Sequence, residues 1–439
     1  MQKYFQFKEL GTSYRQEFMG GLTTFLAMAY ILVLNPLTLT LASVKDLPDA
    51  LRMDYGSVFV ATAIASAVGS IVMGLLAKYP LALAPGMGLN AFFAYTVVIG
   101  MGYSYQFALT AVFLEGLIFI MLTICNVREA IVDSIPNNIK KAISVGIGLL
   151  ISLIGLEGAG VIVHPEGGGT ILALGNIISG TGLLALIGIL ITSILLAKNV
   201  KGALFIGMIV TSIIGIPMGV IDLPTKIMSM PPSMSSTVLS FEWNNIFSLD
   251  MIIVLFTLLF MDMFDTIGTL VGVATKAKML DENGKVPNVK KALFADAVGT
   301  TIGACLGTST VSTFVESASG VAEGGRTGLT AVSTAVMFFL ALFFAPLFSI
   351  ITPAVTASAL VLVGLFMIEP IKEINLEDFT EAIPAFLTII MMPLSYSIAD
   401  GIVFGVISYI ILKLFSGRAK EISLATVIIG FIFILKFLI

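Results

Sequence analysis

Runs of about 20 mostly apolar residues, long enough to cross a bilayer as helix, recur along the whole chain. They fall at 18–38, 56–78, 81–101, 104–126, 138–158, 172–197, 202–221, 250–274, 288–306, 308–325, 328–348, 351–369, 381–397 and 399–416. The pattern predicts an all-α polytopic membrane protein of about fourteen transmembrane segments, and a further apolar stretch, 422–438, closes the chain. The polar lead before the first run holds Lys3, Lys8, Glu9, Arg15 and Glu17. The run itself, Met19 to Leu37, is too long for a signal peptide and has no small-residue cleavage site, so it reads as a retained span.

Lys and Arg test the count. Arg128, Lys140 and Lys141 fall between segments four and five, and Lys198 and Lys201 between six and seven. Lys276, Lys278, Lys285, Lys290 and Lys291 fall between eight and nine, Arg326 between ten and eleven, and Arg418 and Lys420 after fourteen. All lie on the side of the N-terminus, and turns such as 39–55 and 222–249 on the other side are not basic. Cytoplasmic loops carry the Lys/Arg excess, so the N-terminus is expected in the cytoplasm. The stretch 422–438 either spans or lies in the interface.

Two segments do not read as plain helices. Segment three opens with Pro80, Pro85, Gly86 and Gly88, which break helix. Segment ten opens LGTSTVSTFVESASGV from Leu306, whose Thr, Ser and Val favour a strand. Each is expected to begin as a short β-strand and turn into a half-helix. Asn90 and Glu316 fall where the two half-helices should start, and Ile135–Leu156 is similar to Ile351–Ile368. Seven segments per half, an odd number, puts the halves in opposite orientations. This 7+7 inverted repeat is a plan of secondary transporters.

Composition narrows the chemistry. Charged residues make up 11% of the 439, against about 25% in soluble proteins. No basic block suggests nucleic acid. Cys125 and Cys305 sit in apolar stretches, and His164 stands alone in a loop, so neither a disulfide framework nor a metal site is expected. There is no GxxxxGK[ST] loop for ATP; the glycine clusters at 167–170 and 324–325 are loose. No nucleophile–base pairing points to an enzyme, and no cofactor is implied.

What stands out is acid within the apolar segments. Asp265 lies near the middle of segment eight. A carboxylate at that depth costs roughly 2.5–3.5 kcal/mol on insertion and usually marks function; the blander reading is a structural ion pair. Asp262, one turn away on the same helix face, lines the site or merely bonds a neighbouring helix. Glu316 reads as a carboxylate at a helix start that also faces a cavity, since irregular backbone survives in a bilayer only around protein or water. Asn90 joins it by position. Ionised carboxylates accept, and an amide both donates and accepts. Such a set matches a flat heterocycle bearing N–H beside carbonyl, for example a 6-oxopurine. Phe92, Phe93, Phe264 and Phe314 are candidates to stack on the ring, or simply core packing. A buried carboxylate can also take up a coupling proton.

The stretches GGLTTFLAMAYILVLNP (20–36), APGMGLNAFFAY (84–95), FMDMFDTIGTL (260–270) and GTSTVSTFVESASGV (307–321) resemble the AzgA-like hypoxanthine/guanine permease branch of the nucleobase–cation symporter (nucleobase–ascorbate transporter) superfamily. The resemblance runs from about residue 5 to 420. It implies a core domain of segments 1–4 (18–127) and 8–11 (250–348) and a gate domain of segments 5–7 (138–221) and 12–14 (351–416). The remaining pieces are a cytoplasmic N-terminus, 1–17, an extracytoplasmic loop, 222–249, and the extra segment 422–438. The resemblance also implies proton symport of purine bases by a homodimer in the inner membrane. By motif, Asp265, Glu316 and Asn90 would bind the base; Asp265, Glu316 and Asp262 are the candidates for the proton. Aspartate rather than glutamate at 265 departs from uracil and xanthine carriers. The combined expectation is proton-coupled uptake of guanine and hypoxanthine. The alternatives are an adenine-preferring or broad purine carrier, and an anion carrier or channel on the same fold.

Overall fold

The computed structural model describes residues 2–42, 44, 48, 51–125, 136–165, 171–223, 226–276, 279, 287–348, 350–423, 426–427 and 430–431, without the side chains at 125, 264, 267, 268, 271, 272, 274–276 and 399. Among the described residues, seven helices are long and apolar enough to cross a membrane, and shorter apolar helices lie beside them.

A single turn, α1 (Phe7–Leu10), precedes α2 (Tyr14–Met28) and α3 (Ile31–Leu39), which together make the first apolar segment. Then come α4 (Tyr55–Val72), β1 (Leu83–Pro85), α5 (Met87–Ala91) with a π-helical continuation over Phe92–Gly100, and α6 (Tyr105–Cys125). Next are α7 (Asn137–Gly158), a hairpin of β2 (Ile162–Val163) and β3 (Ala173–Leu174), α8 (Gly180–Ala197) and α9 (Ala203–Gly215). The second half holds α10 (Leu249–Lys276), α11 (Val289–Leu306), β4 (Val311–Thr313), α12 (Ser317–Ala322), α13 (Gly328–Ala341) and α14 (Ala345–Phe348). It ends with α15 (Pro353–Ile368), α16 (Phe379–Ser395) and α17 (Ile398–Phe415). Local sequence sets many of the starts. Asp54, Asp378 and Ser397 each accept a backbone N–H in the first turn of the helix that follows, satisfying donors with no partner inside the helix.

The helices pack as two groups. One contains α2, α3, α4, α6, α10, α11, α12 and α13; the other contains α7, α8, α9, α15, α16 and α17. Small residues let backbones touch within each group. A Cβ at Gly328 would overlap the Gly74 carbonyl in the first group, and one at Gly364 would overlap the Gly148 carbonyl in the second. Glu17, fully buried, joins the two ends of the first group. Its carboxylate accepts the N–H groups of Arg326, Thr327 and Thr330 and the hydroxyls of Thr12, Thr327 and Thr330 at 2.6–3.2 Å. An anion at a helix N-terminus is favoured by the helix dipole, so this residue of the polar lead caps α13.

Segments three and ten are broken as their sequences predict. β1 and β4 pair antiparallel, with Leu83 opposite Thr313, Ala84 opposite Ser312 and Pro85 opposite Val311. The ribbon extends through Gly86 N–H to Thr310 O and Phe314 N–H to Ala82 O, at 3.1 and 3.0 Å. Gly307 makes β4 possible. It ends α11 at φ +99°, a region that favours glycine. Hydroxyls from the flanking helices close the ribbon's outer edges. Ser70 of α4 accepts Leu83 N–H and donates to Leu83 O, at 2.9 and 3.3 Å. Thr300 of α11 does the same for Val311, at 3.2 and 2.9 Å, and Ser317 accepts Ala82 N–H at 3.0 Å.

Asn90 and Glu316 do not stand at the same point of their half-helices. Asn90 is the fourth residue of α5, whereas Glu316 immediately precedes α12. Of the closing stretch 422–438, only 422–423, 426–427 and 430–431 are among the described residues. Just before it, Lys413 reaches Glu421 and Glu381 at 2.7 and 2.9 Å, and Arg418 reaches Asp378 and Glu421 at 2.5 and 2.6 Å. The Arg418 guanidinium holds the carboxyls of both Asp378 and Glu421 down to about 2. His164 is exposed and pairs with Glu157. Arg128, Lys278, Lys285, the glycines at 167–169 and the Cys125 side chain lie outside the described residues.

The edge bonds give a first prediction. Thr300→Val keeps the shape of the side chain but strands the N–H and C=O of Val311, each at a cost of about 1–3 kcal/mol. Thr192 bonds only back to its own helix, at Gly188 O. Thermal unfolding in detergent should show a Tm lowered by several degrees for Thr300→Val and nearly unchanged for Thr192→Val. Equal shifts would mean that the ribbon edge carries no special weight.

Candidate functional site

The ribbon brings the two carboxylates of interest to one place. Asp265 lies 11 residues before the end of α10 at Lys276, roughly 16 Å along the helix. Although deep in its helix, it is exposed. Val315 is 54% exposed, and Glu316 is half-buried. Acids within membrane segments almost always face the bundle interior or water rather than lipid, and irregular backbone such as this crossing is tolerated in a bilayer only where protein covers it or it lines a water-filled cavity.

Each carboxylate is tied by one hydroxyl. Ser312 of β4 donates to Asp265 Oδ2 at 2.8 Å, and Thr313 donates to the Thr266 carbonyl at 3.3 Å. Together they fasten α10 to the strand. Tyr30 donates to Glu316 Oε1 at 2.6 Å. The side chain of Glu316 does not cap α12, which differs from the helix-start role read from its position. Gly86 fits beside Ser312 and Asp265 because it lacks a side chain. A Cβ there would stand 2.8 Å from Ser312 Oγ and 3.4 Å from Asp265 Oδ2.

The other residues singled out from sequence separate from this pair. Asn90 is fully buried; its amide oxygen accepts from Ser309, and its nitrogen lies 3.7 Å from Met87 S. Asp262, read as sharing a face with Asp265, is fully buried and turns to a different neighbour. Thr266 lies between it and Asp296 of α11, with its hydroxyl 3.4 and 3.0 Å from the two carboxylates. Phe314 packs beside Tyr30, ring centroids 6.4 Å apart. Phe92 and Phe93 are buried in the main core cluster, and the Phe264 side chain lies outside the described residues.

Sequence reading passed over Tyr30, Ser312, Asp296 and Glu115. Asp296 and Glu115, fully buried, lie inside apolar segments nine and four. The rule that picked out Asp265, an acid within a span, applies to them equally. Glu115 accepts from Thr310 at 2.5 Å, one more tie at the start of β4. Among the described residues, no group of His, Cys, Asp and Glu could hold a metal ion.

Residues 15–404 match the sequence model of a permease family, that of the nucleobase–ascorbate transporters. The chain is 51% identical to a guanine/hypoxanthine permease of Bacillus subtilis over 100% of this chain and 99% of the other. It is 40% identical to an adenine permease of Escherichia coli over 99% of this chain and 95% of the other. In fold it is similar to the transmembrane domain of a cyanobacterial bicarbonate transporter, BicA, with a TM-score of 0.64 and 17% identity over 89% of this chain and 97% of that one.

Gly86 gives the second prediction. Gly86→Ala should displace the Ser312 hydroxyl and with it the bond to Asp265, and lower uptake at subsaturating solute about tenfold, the worth of one hydrogen bond to a charged group, with the amount of protein in the membrane unchanged. Wild-type uptake by this variant would show that the close approach at Gly86 has no part in the site.

Proposed function

We propose that this protein, which belongs to the nucleobase–ascorbate transporter family of permeases, imports the 6-oxopurines hypoxanthine and guanine by proton symport. The observation that carries this reading is the pair of acids within membrane segments, Asp265 and Glu316, which accept hydrogen bonds from Ser312 and Tyr30 beside the crossing of two broken segments. A carboxylate accepts hydrogen bonds and, when ionised, donates none. The pair therefore favours a ring edge carrying N–H, as N1–H and the 2-amino group of guanine do. Adenine presents a lone pair at N1. An acceptor facing an acceptor leaves both unpaired, at a cost of about 1–3 kcal/mol. The 51% identity with a guanine/hypoxanthine permease over the full length agrees with this preference. An adenine permease at 40% identity makes a broad purine carrier the second reading. Two acids at the site argue against an anion as cargo.

Transport proceeds by movement of a core against a gate. The two packing groups support a division into a core, segments 1–4 and 8–11, and a gate, segments 5–7 and 12–14. The matched roles of Ser70 on Leu83 and Thr300 on Val311 support two inverted halves with seven segments each, fourteen in all. Asp265, Glu316 or the more deeply buried Asp262 takes the proton. Asn90 supports β4 through Ser309 and lines the site from behind. The N-terminus is cytoplasmic, and the unit in the membrane is a homodimer.

Labelled hypoxanthine uptake into cells lacking their own purine carriers tests the reading. Guanine should compete strongly, adenine weakly and uracil not at all, and a protonophore should abolish uptake. Asp265→Asn and Glu316→Gln should each reduce uptake at least tenfold without loss of protein from the membrane. Strong adenine competition would replace the narrow substrate with the broad one. Uptake indifferent to the protonophore would remove the symport claim.

A further inference from the structure

Segment one is a helical span with a joint part-way along it. α2 stops at Met28 and α3 starts at Ile31. Tyr30 occupies the joint, where Leu32 and Val33 N–H reach back three residues to Ala29 and Tyr30 at 3.1 and 3.0 Å. The Tyr30 side chain is buried, the residue being 2% exposed. Its ring leans on Phe314, and its hydroxyl lies 2.6 Å from Glu316 Oε1.

That bond has a consequence for Glu316. The carboxylate is half-buried and makes no bond to the helix it precedes. A glutamate side chain so placed has several rotamers to choose from, and ordering one costs conformational entropy. The phenol, itself immobilised by packing, holds the carboxylate before any ligand arrives. A phenol also has one proton to give. With that proton directed at Oε1, Tyr30 offers only lone pairs elsewhere, so the pair as a whole accepts.

We propose that Tyr30 is the positioning residue of the site: its hydroxyl holds Glu316 Oε1 so that Oε2 stays fixed toward the cavity as acceptor for a purine N–H, and it thereby contributes to the preference for 6-oxopurines. The proposal rests on the reading of Glu316 as a base-binding acid. It distinguishes Tyr30 from a buried tyrosine whose hydroxyl merely needs a partner. In that case its removal would lower stability and leave affinity alone.

The test measures equilibrium binding of labelled hypoxanthine to the purified full-length protein, with adenine as competitor. Affinity is read per binding-competent molecule, so loss of yield does not enter. Tyr30→Phe keeps the ring and removes only the O–H. It should weaken hypoxanthine binding about 10- to 100-fold, the worth of a hydrogen bond to a charged group, and weaken adenine binding less. In a Glu316→Asp background, where the shorter arm withdraws the carboxylate from the phenol, Tyr30→Phe should have little further effect, because coupled residues are not additive. Unchanged affinity in Tyr30→Phe, or the same loss in both backgrounds, would overturn this proposal alone. Failure of the wild-type protein to bind any purine would overturn the functional reading and this proposal with it.

Discussion

A backbone N–H or C=O inside a bilayer has no water to turn to, and an unpaired one costs several kcal/mol. Most of this fold meets that demand with helix. The ribbon of Leu83–Pro85 and Val311–Thr313 cannot, because each strand pairs on one edge only. Its outer edges depend on Ser70 of α4 and Thr300 of α11, each serving both the N–H and the C=O of one strand residue. The helices on either side are therefore part of the ribbon's hydrogen bonding as well as its packing. Gly69 and Gly299 let them approach: a Cβ at either would crowd Leu83 or Val311.

The site follows from that arrangement. Once two segments are extended where they cross, the half-helices after them begin in mid-molecule. Glu316 is delivered to the start of one, and Ser312 is turned toward α10. Ser312 donates to Asp265, and Tyr30 donates to Glu316, so the two acids tie segments one, eight and ten together. Among the described residues, both acids are organised by hydroxyls. Asp262 and Asp296, which meet at Thr266, form a second acidic pair in the interior.

Much of this was legible in the sequence, and the limits have physical causes. Pro85 and Gly86 in segment three, and the Thr/Ser/Val run in segment ten, announce broken segments because adjacent proline and glycine disfavour helix and β-branched residues favour strand. Asp265 stood out by its cost at mid-span. Asp296 and Glu115 carry the same cost and went unremarked beside it. Hydroxyls are different. Ser70, Thr300 and Ser312 are chemically the same as Thr192 or Thr211, which merely bond back to their own helices. Their roles depend on which strand atom lies opposite, and that is set by tertiary structure. The equivalence of Asn90 with Glu316 misled because it counted residues along each segment. The half-helix begins at Met87 in one segment and at Ser317 in the other.

The central claim is that Asp265, held by Ser312, and Glu316, held by Tyr30, together grip a purine at the strand crossing. The most direct measurement is a structure of the protein with hypoxanthine bound. The account predicts the base in the cavity between these two acids, with ring N–H groups on their free oxygens and the Tyr30 and Ser312 bonds still made. A base found elsewhere, for instance in the apolar crevice bordered by Leu34, Tyr95, Gly155 and Thr356, with both acids out of reach, would contradict it.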